Sequence, residues 1–189
     1  LSEIIYERYY TSVLNHKGEM ILGLAYMDNY EKILPISNIK KIINKNIIID
    51  LNLHHINIKY LITKYHYKNN ICVCGTSSHK VYKIRDSLNK INVLILNKQE
   101  SLNLTNKKSI KEALLNIIEK NKNLIIVITN GRNTVFAYHD HMIYSCKPLK
   151  VKIKNENGAG DVMSALFNYY LLKLKKFNEV LAKSVAAGC

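Results

Sequence analysis

Asn155-Glu156-Asn157-Gly158-Ala159-Gly160-Asp161 is the stretch that orders the rest of the chain. Two glycines and an alanine stand directly before an acid, and the acid opens an apolar run over residues 162–174 with helical character. A Gly-Ala-Gly turn lets backbone amides approach a ligand with no Cβ in the way. A helix that begins there leaves its first N–H groups free and the positive end of its dipole outward, which makes an anion site. Asp161 in the first turn faces that anion. Beside a phosphate, such a carboxylate can accept the proton of a hydroxyl that attacks phosphorus.

Outward from this stretch, short apolar runs alternate with amphipathic ones. Val151 and Ile153 lead into the glycine turn, and residues 177–187 make a last helix. Residues 134–138 and 142–146 predict a hairpin turning at His139-Asp140-His141, a solvated turn rather than a metal site. Residues 124–128 predict a buried strand ending in Thr129-Asn130-Gly131. Residues 108–121 predict an amphipathic helix with Ile110, Leu114, Ile117 and Ile118 on one face. A strand over residues 93–96 runs into Asn97-Lys98-Gln99-Glu100. Oxygen-bearing residues three apart at a helix start share one face, which suits a hard cation bound through water or a helix-capping pair.

Further upstream, residues 70–74 read as a strand, with Thr76-Ser77-Ser78-His79-Lys80 capping a helix after it. A helix spans residues 57–67, and residues 46–53 read as a strand buried on both faces, ending in Asp50-Leu51-Asn52. Ser37 is an N-cap candidate for a helix with Ile39, Ile42 and Ile43 on one face. Residues 10–14 and 20–27, separated by Asn15-His16-Lys17-Gly18-Glu19, predict a second hairpin. Strands alternating with helices predict a three-layer α/β/α sandwich with a mainly parallel sheet.

Composition sets bounds on this picture. A length of 189 residues suits one domain, and 48% apolar residues supply a sizeable core. No run of about 18 apolar residues marks a membrane span, and the first residues are not a signal peptide. The net charge of +14 raises the possibility of nucleic-acid binding. The lysines, however, are spread along the chain and travel with Asn and Ile, with no helix that concentrates them among aromatics. No specific nucleic-acid partner is expected. Cys72, Cys74, Cys146 and Cys189 form no disulfide framework. Cys72 and Cys74 fall on one face of a strand with one residue between them, short of zinc spacing, and read as buried thiols of a reduced cytoplasm.

The order Asp50-x-Asn52, Asn97-x-x-Glu100, Thr129-x-Gly131, Gly158-Ala159-Gly160-Asp161, each after a strand, resembles the ribokinase-like (PfkB) carbohydrate kinases. The resemblance covers about residues 9–189. Ala25-Tyr26-Met27-Asp28-Asn29-Tyr30 is similar to a stretch of the pseudouridine-kinase branch. The resemblance implies a ribokinase-like, Rossmann-like fold and transfer of the ATP γ-phosphate to a sugar or nucleoside hydroxyl, in this branch the ribose 5′-hydroxyl of pseudouridine. It makes Asp161 the base, with the Gly158, Ala159 and Gly160 amides as the anion hole. It assigns Asn97 and Glu100 to water-ligated Mg²⁺, Asn97, Thr129 and Gly131 to the nucleotide phosphates, and leaves room for a monovalent cation.

Several positions depart from the family pattern. Glu156 replaces a small residue or Thr, Leu166 stands where a small residue is usual, and Thr134 replaces a third glycine. No Gly-Gly-x-x-x-Asn sugar segment is found, nor the part that closes over adenine. The chain starts without Met and stops inside a helical pattern at Ala186-Ala187-Gly188-Cys189. It therefore reads as a partial kinase domain over residues 1–189, cut at both ends, with weak or no turnover by itself. A homo-oligomer and a fusion to a pseudouridine-phosphate glycosidase domain are compatible with the branch. The alternatives are a non-catalytic nucleotide-binding remnant and a basic nucleic-acid-binding protein.

Overall fold

The computed structural model describes residues 9–15, 20–26, 32–33, 42–152 and 157–189. Strands β1 (Tyr9–Leu14) and β2 (Met20–Tyr26) pair antiparallel as a two-stranded sheet. The helix expected from Ser37, the Met27-Asp28-Asn29-Tyr30 stretch and Glu156 lie outside the described residues. Ile42 and Ile43 are described, and they belong to no helix.

The main sheet has six strands, β3 (Asn46–Asp50), β4 (Asn70–Cys74), β5 (Val93–Asn97), β6 (Ile125–Asn130), β7 (Asn133–His139) and β8 (Met142–Cys146), in that spatial order. The first four run parallel, and the β7–β8 hairpin adds antiparallel to β6. Helix α1 (His55–Tyr65) joins β3 to β4, and α2 (Lys98–Thr105) and α3 (Ile110–Lys120) join β5 to β6. Because the parallel strands are laid down in one direction, right-handed crossovers put all these connections on one face. The other face is free for α4 (Ala159–Lys173) and α5 (Phe177–Ala187), which follow the hairpin.

Strand alternation divides the core accordingly. Leu94 and Leu96 of β5 join Ile71, Val73, Ile126 and Ile128 against Ile58 and Ile62 of α1 and Leu114 and Ile117 of α3. Val93 and Ile95 join Cys72, Val127 and Ala137 against Met163 and Phe167 of α4 and Val180, Leu181 and Val185 of α5. The result is the three-layer α/β/α arrangement expected from the alternating pattern.

Three local expectations are corrected. β3 is an edge strand and ends at Asp50, with Ile48 54% exposed, so it is not buried on both faces. Residues 76–80 cap no α-helix; two 3₁₀ turns, Val81–Ile84 and Leu88–Lys90, follow β4 with no side-chain cap. Of the four free thiols only Cys72 is buried, while Cys189 is exposed. The hairpin turn falls where the sequence put it. Asp140 and His141 both have positive φ, 49° and 62°, as a two-residue turn matched to the strand twist requires.

Candidate active site

β3 and β4 end level with each other, and β5 and β6 run on together about two residues further. Cys74 pairs with both Asp50 and Ile95, and Asn97 pairs with Thr129. Asn52 and Gly75, just beyond β3 and β4, and Asn97 and Thr129, at the ends of β5 and β6, therefore share one edge of the sheet, where open α/β folds hold ligands. The N-terminus of α4 comes to the same edge. Asn52, Gly75, Lys80, Asn97, Glu100, Thr129, Gly158, Gly160, Asp161 and Ser164 line one cleft of about 590 Å³.

Gly158 is the N-cap of α4 with φ 80°, a left-handed conformation that glycine adopts without penalty. Its carbonyl accepts the Val162 amide at 2.9 Å, the first intrahelical bond. The amides of Ala159, Gly160 and Asp161 precede that bond and point beyond the helix end. Among the described residues, no heavy atom apart from the glycines' own chain neighbours and helix backbone lies within 4 Å of where a Cβ would stand at Gly158 or Gly160, so the backbone here is bare toward the cleft. Asp161 is exposed at the third helical position.

Asn97 and Glu100 form a reciprocal capping box on α2. The Asn97 Oδ1 accepts the Glu100 amide at 2.9 Å, and Glu100 Oε2 accepts the Asn97 amide at 2.7 Å. Glu100 is only 3% exposed, and burial pushes its carboxyl above the ordinary range, opposed by the Asn97 amide. The pair is thus a structural cap first. Asn97 Oδ1 keeps one lone pair and Glu100 keeps Oε1, so the two can still turn hard oxygen donors toward the cleft.

Sequence reasoning missed Gly75. A Cβ there would stand 2.6 Å from Glu100 Cδ, inside any real contact, so the buried carboxylate occupies the space of the absent side chain. A lone glycine immediately after a strand was the available signal. Lys80 is also drawn in, donating to Asn52 Oδ1 at 2.6 Å. Beneath it Lys83 donates to the Leu51 and Leu53 carbonyls at 2.9 and 2.8 Å, fixing the loop after β3.

Gly131, with φ 55°, and Ala159 line an adjoining pocket of about 460 Å³. Its walls are mostly apolar, from Val135, Leu149, Val151, Met163 and Val185. The two spaces share Asn97, Thr129, Asn157, Gly158 and Gly160, so the glycine turn is the seam between a polar and an apolar half.

A model of the pfkB family carbohydrate kinases matches residues 44–189. The chain belongs to this family. A comparison with curated protein sequences finds no match. Among solved structures, a sugar-kinase candidate from Clostridium perfringens is similar at TM-score 0.76 and 16% identity, over 95% of this chain and 59% of that one. A carbohydrate kinase from Agrobacterium tumefaciens follows at TM-score 0.68 and 22% identity, over 96% and 60%. Phosphofructokinase-2 from Escherichia coli follows at TM-score 0.68 and 20% identity, over 78% and 51%. At these identities the likeness is one of fold, which is the ribokinase-like α/β/α sandwich. This pfkB chain spans about 50–60% of the length of those structures.

Proposed function

We propose that the protein carrying this pfkB segment transfers the γ-phosphoryl group of ATP to a sugar or nucleoside hydroxyl, the ribose 5′-hydroxyl of pseudouridine. One observation carries the reading: a bare glycine turn at a helix N-terminus, an exposed Asp161 and the Asn97–Glu100 pair converge on one cleft. Pseudouridine as acceptor rests on the Met27-Asp28-Asn29-Tyr30 resemblance.

In this mechanism the apolar half seats the base of the nucleotide, and Thr129 and the Gly131 turn hold its phosphates. The Gly158, Ala159 and Gly160 amides meet the charge that develops on the phosphoryl oxygens. Asp161, beside those amides, takes the proton from the acceptor hydroxyl as it attacks. Asn52 and Lys80, already hydrogen-bonded at the far wall, orient the acceptor from the polar half. Glu100 and Asn97 each offer a hard oxygen, which fits Mg²⁺ held through water, and a nearby cation would also favour the ionised form that burial of Glu100 opposes. Held there with ATP, Mg²⁺ would supply neutralisation of phosphate charge. The segment acts within a single partial domain, in the cytoplasm, on small-molecule substrates. Among the described residues no helix is long and apolar enough to cross a membrane.

The test is phosphoryl transfer from labelled ATP to pseudouridine by the intact gene product, with uridine, adenosine and ribose as rival acceptors. Mg²⁺-dependent 5′-phosphorylation of pseudouridine is expected, falling by about 10²–10⁴-fold in Asp161→Asn. Undiminished turnover in Asp161→Asn refutes the base. ATP retention without transfer to any acceptor leaves a nucleotide-binding remnant instead.

A further inference from the structure

β4 carries two thiols on the face opposite its aliphatic residues. Ile71 and Val73 pack toward α1, and Cys72 and Cys74 turn toward α4. Their sulfurs lie 4.0 Å apart. Ser164 and Asn168, one turn apart on α4, stand on the same side of the sheet as the pair, and Asn168 donates to the Ser164 carbonyl at 2.8 Å. Asp161 lies one turn before Ser164, so the thiols sit under the same helix face that carries the proposed base.

The two sulfurs differ chemically. The sulfur–sulfur contact holds the Cys74 thiol below its ordinary value, and Ser164 adds to this against burial. The reciprocal contact, with burial, pushes Cys72 up. Cys74 is half-buried and Cys72 only 3% exposed. Cys72 nevertheless forms part of the wall of a cavity of about 400 Å³, with Val93, Asn168, Leu171 and Leu172. Asn46, Asn70 and Val93, the first residues of β3, β4 and β5, also line it, so it opens at the end of the sheet opposite the phosphate cleft.

Distances decide what such a pair can accept. A disulfide needs sulfurs about 2.05 Å apart and Cα atoms within about 6.8 Å. Two strand residues span about 6.6 Å, at the edge of that range, and β4 is held on both sides by β3 and β5 and cannot pucker freely. A pyramidal trivalent centre bonded to both sulfurs at about 2.3 Å, the length of a zinc–thiolate bond, with an angle of about 100° holds them about 3.5 Å apart, much nearer the 4.0 Å seen than a disulfide length is. A metal with a full protein shell lacks ligands, since no group of three His, Cys, Asp or Glu fit to hold one occurs among the described residues. The geometry favours a thiophilic centre that brings its own third substituent.

We propose that Cys72 and Cys74 form a two-thiol modification site for trivalent organoarsenicals, with the organic substituent in the cavity beside Cys72. The Cys74 thiolate attacks arsenic of the hydrated arsenoxide first, and Cys72 closes the second bond. Two As–S bonds form, two As–O bonds break, and the two thiol protons leave with the oxygens as two waters. Arsenic stays trivalent, so no oxidant is needed.

The test uses phenylarsine oxide on the full chain carrying Cys146→Ser and Cys189→Ser, because Cys146 and Cys189 are the other two free thiols. Intact-mass spectrometry and thiol titration follow a wash with excess monothiol, then with a dithiol. One arsenic per chain should survive the monothiol, consume both thiols and be released by the dithiol. Adding Cys72→Ser or Cys74→Ser should abolish retention through the monothiol wash. Release by monothiol from the two-thiol chain overturns the proposal without reference to any further variant. Retention in either one-thiol chain overturns it as well. Neither result bears on phosphoryl transfer, so this site stands or falls apart from the kinase assignment.

Discussion

Replacing Gly75 with alanine should destabilise the protein by about 2 kcal/mol, and that cost should vanish when Glu100 is removed too. The added Cβ would stand 2.6 Å from Glu100 Cδ and 3.0 Å from Oε1. Carbon atoms in contact sit about 3.5–4.0 Å apart, so the carboxylate must retreat by about 1 Å. Overpacking of that kind costs about 1–3 kcal/mol. Moving Oε2 off the Asn97 amide breaks half of the capping box, adding about 1 kcal/mol. Gly75 is not among the positive-φ residues, so alanine strains no backbone and gains about 0.4–1 kcal/mol by stiffening the unfolded chain. The assay is equilibrium urea unfolding at constant m, where 2 kcal/mol is a midpoint shift of about 1 M. In a Glu100→Ala background Gly75→Ala should be neutral or slightly stabilising. Equal costs in both backgrounds, within about 0.5 kcal/mol, would refute the contact between Gly75 and the buried carboxylate.

Other perturbations test separate parts of the account. Burial raises the Glu100 pKa in the folded state, so its stabilising contribution is complete below the unfolded pKa and is lost as pH rises through the folded one. Glu100→Gln keeps an acceptor for the Asn97 amide and cannot ionise. The wild-type stability minus that of the variant should therefore fall as pH rises above the ordinary glutamate range and level off once Glu100 is ionised in the folded state too, followed by urea unfolding; a difference that rises with pH sinks the burial argument. Phe167 is fully buried on α4 and meets Phe177 edge-on at 5.9 Å, so Phe167→Ala should cost about 3–5 kcal/mol in the same assay. Gly158→Ala meets no atom among the described residues beyond its own neighbours but must hold φ 80°, so it should cost about 1–2 kcal/mol through backbone alone, and Gly160→Ala, without positive φ, much less.

Much of the fold was legible because one residue pattern decided each element. Ile110, Leu114 and Ile117 at helical spacing after Ser109 gave α3, with Ser109 and Glu112 closing its capping box. The His139-Asp140-His141 turn was legible from the two flanking apolar runs. The edge position of β3 was not, because an Ile-rich run reads as doubly buried whether or not a second helix layer reaches it. The segment after β4 was misread for a related reason. Thr76, Ser77 and Ser78 are good capping types, but the chain beyond them folds into 3₁₀ turns that pack Val81 and Ile84 into the core.

The sequence by itself determined the alternation of elements, the glycine turn ahead of Asp161 and the order of the four motifs, since each depends on residues adjacent in the chain. Only the tertiary structure decided that those motifs share one cleft, because strand register sets which chain ends stand level. It alone showed that Glu100 needs Gly75, and that the Cys72–Cys74 face lies beneath Ser164 and Asn168. Those pairs are 25 or more residues apart, and nothing local in either partner encodes the approach.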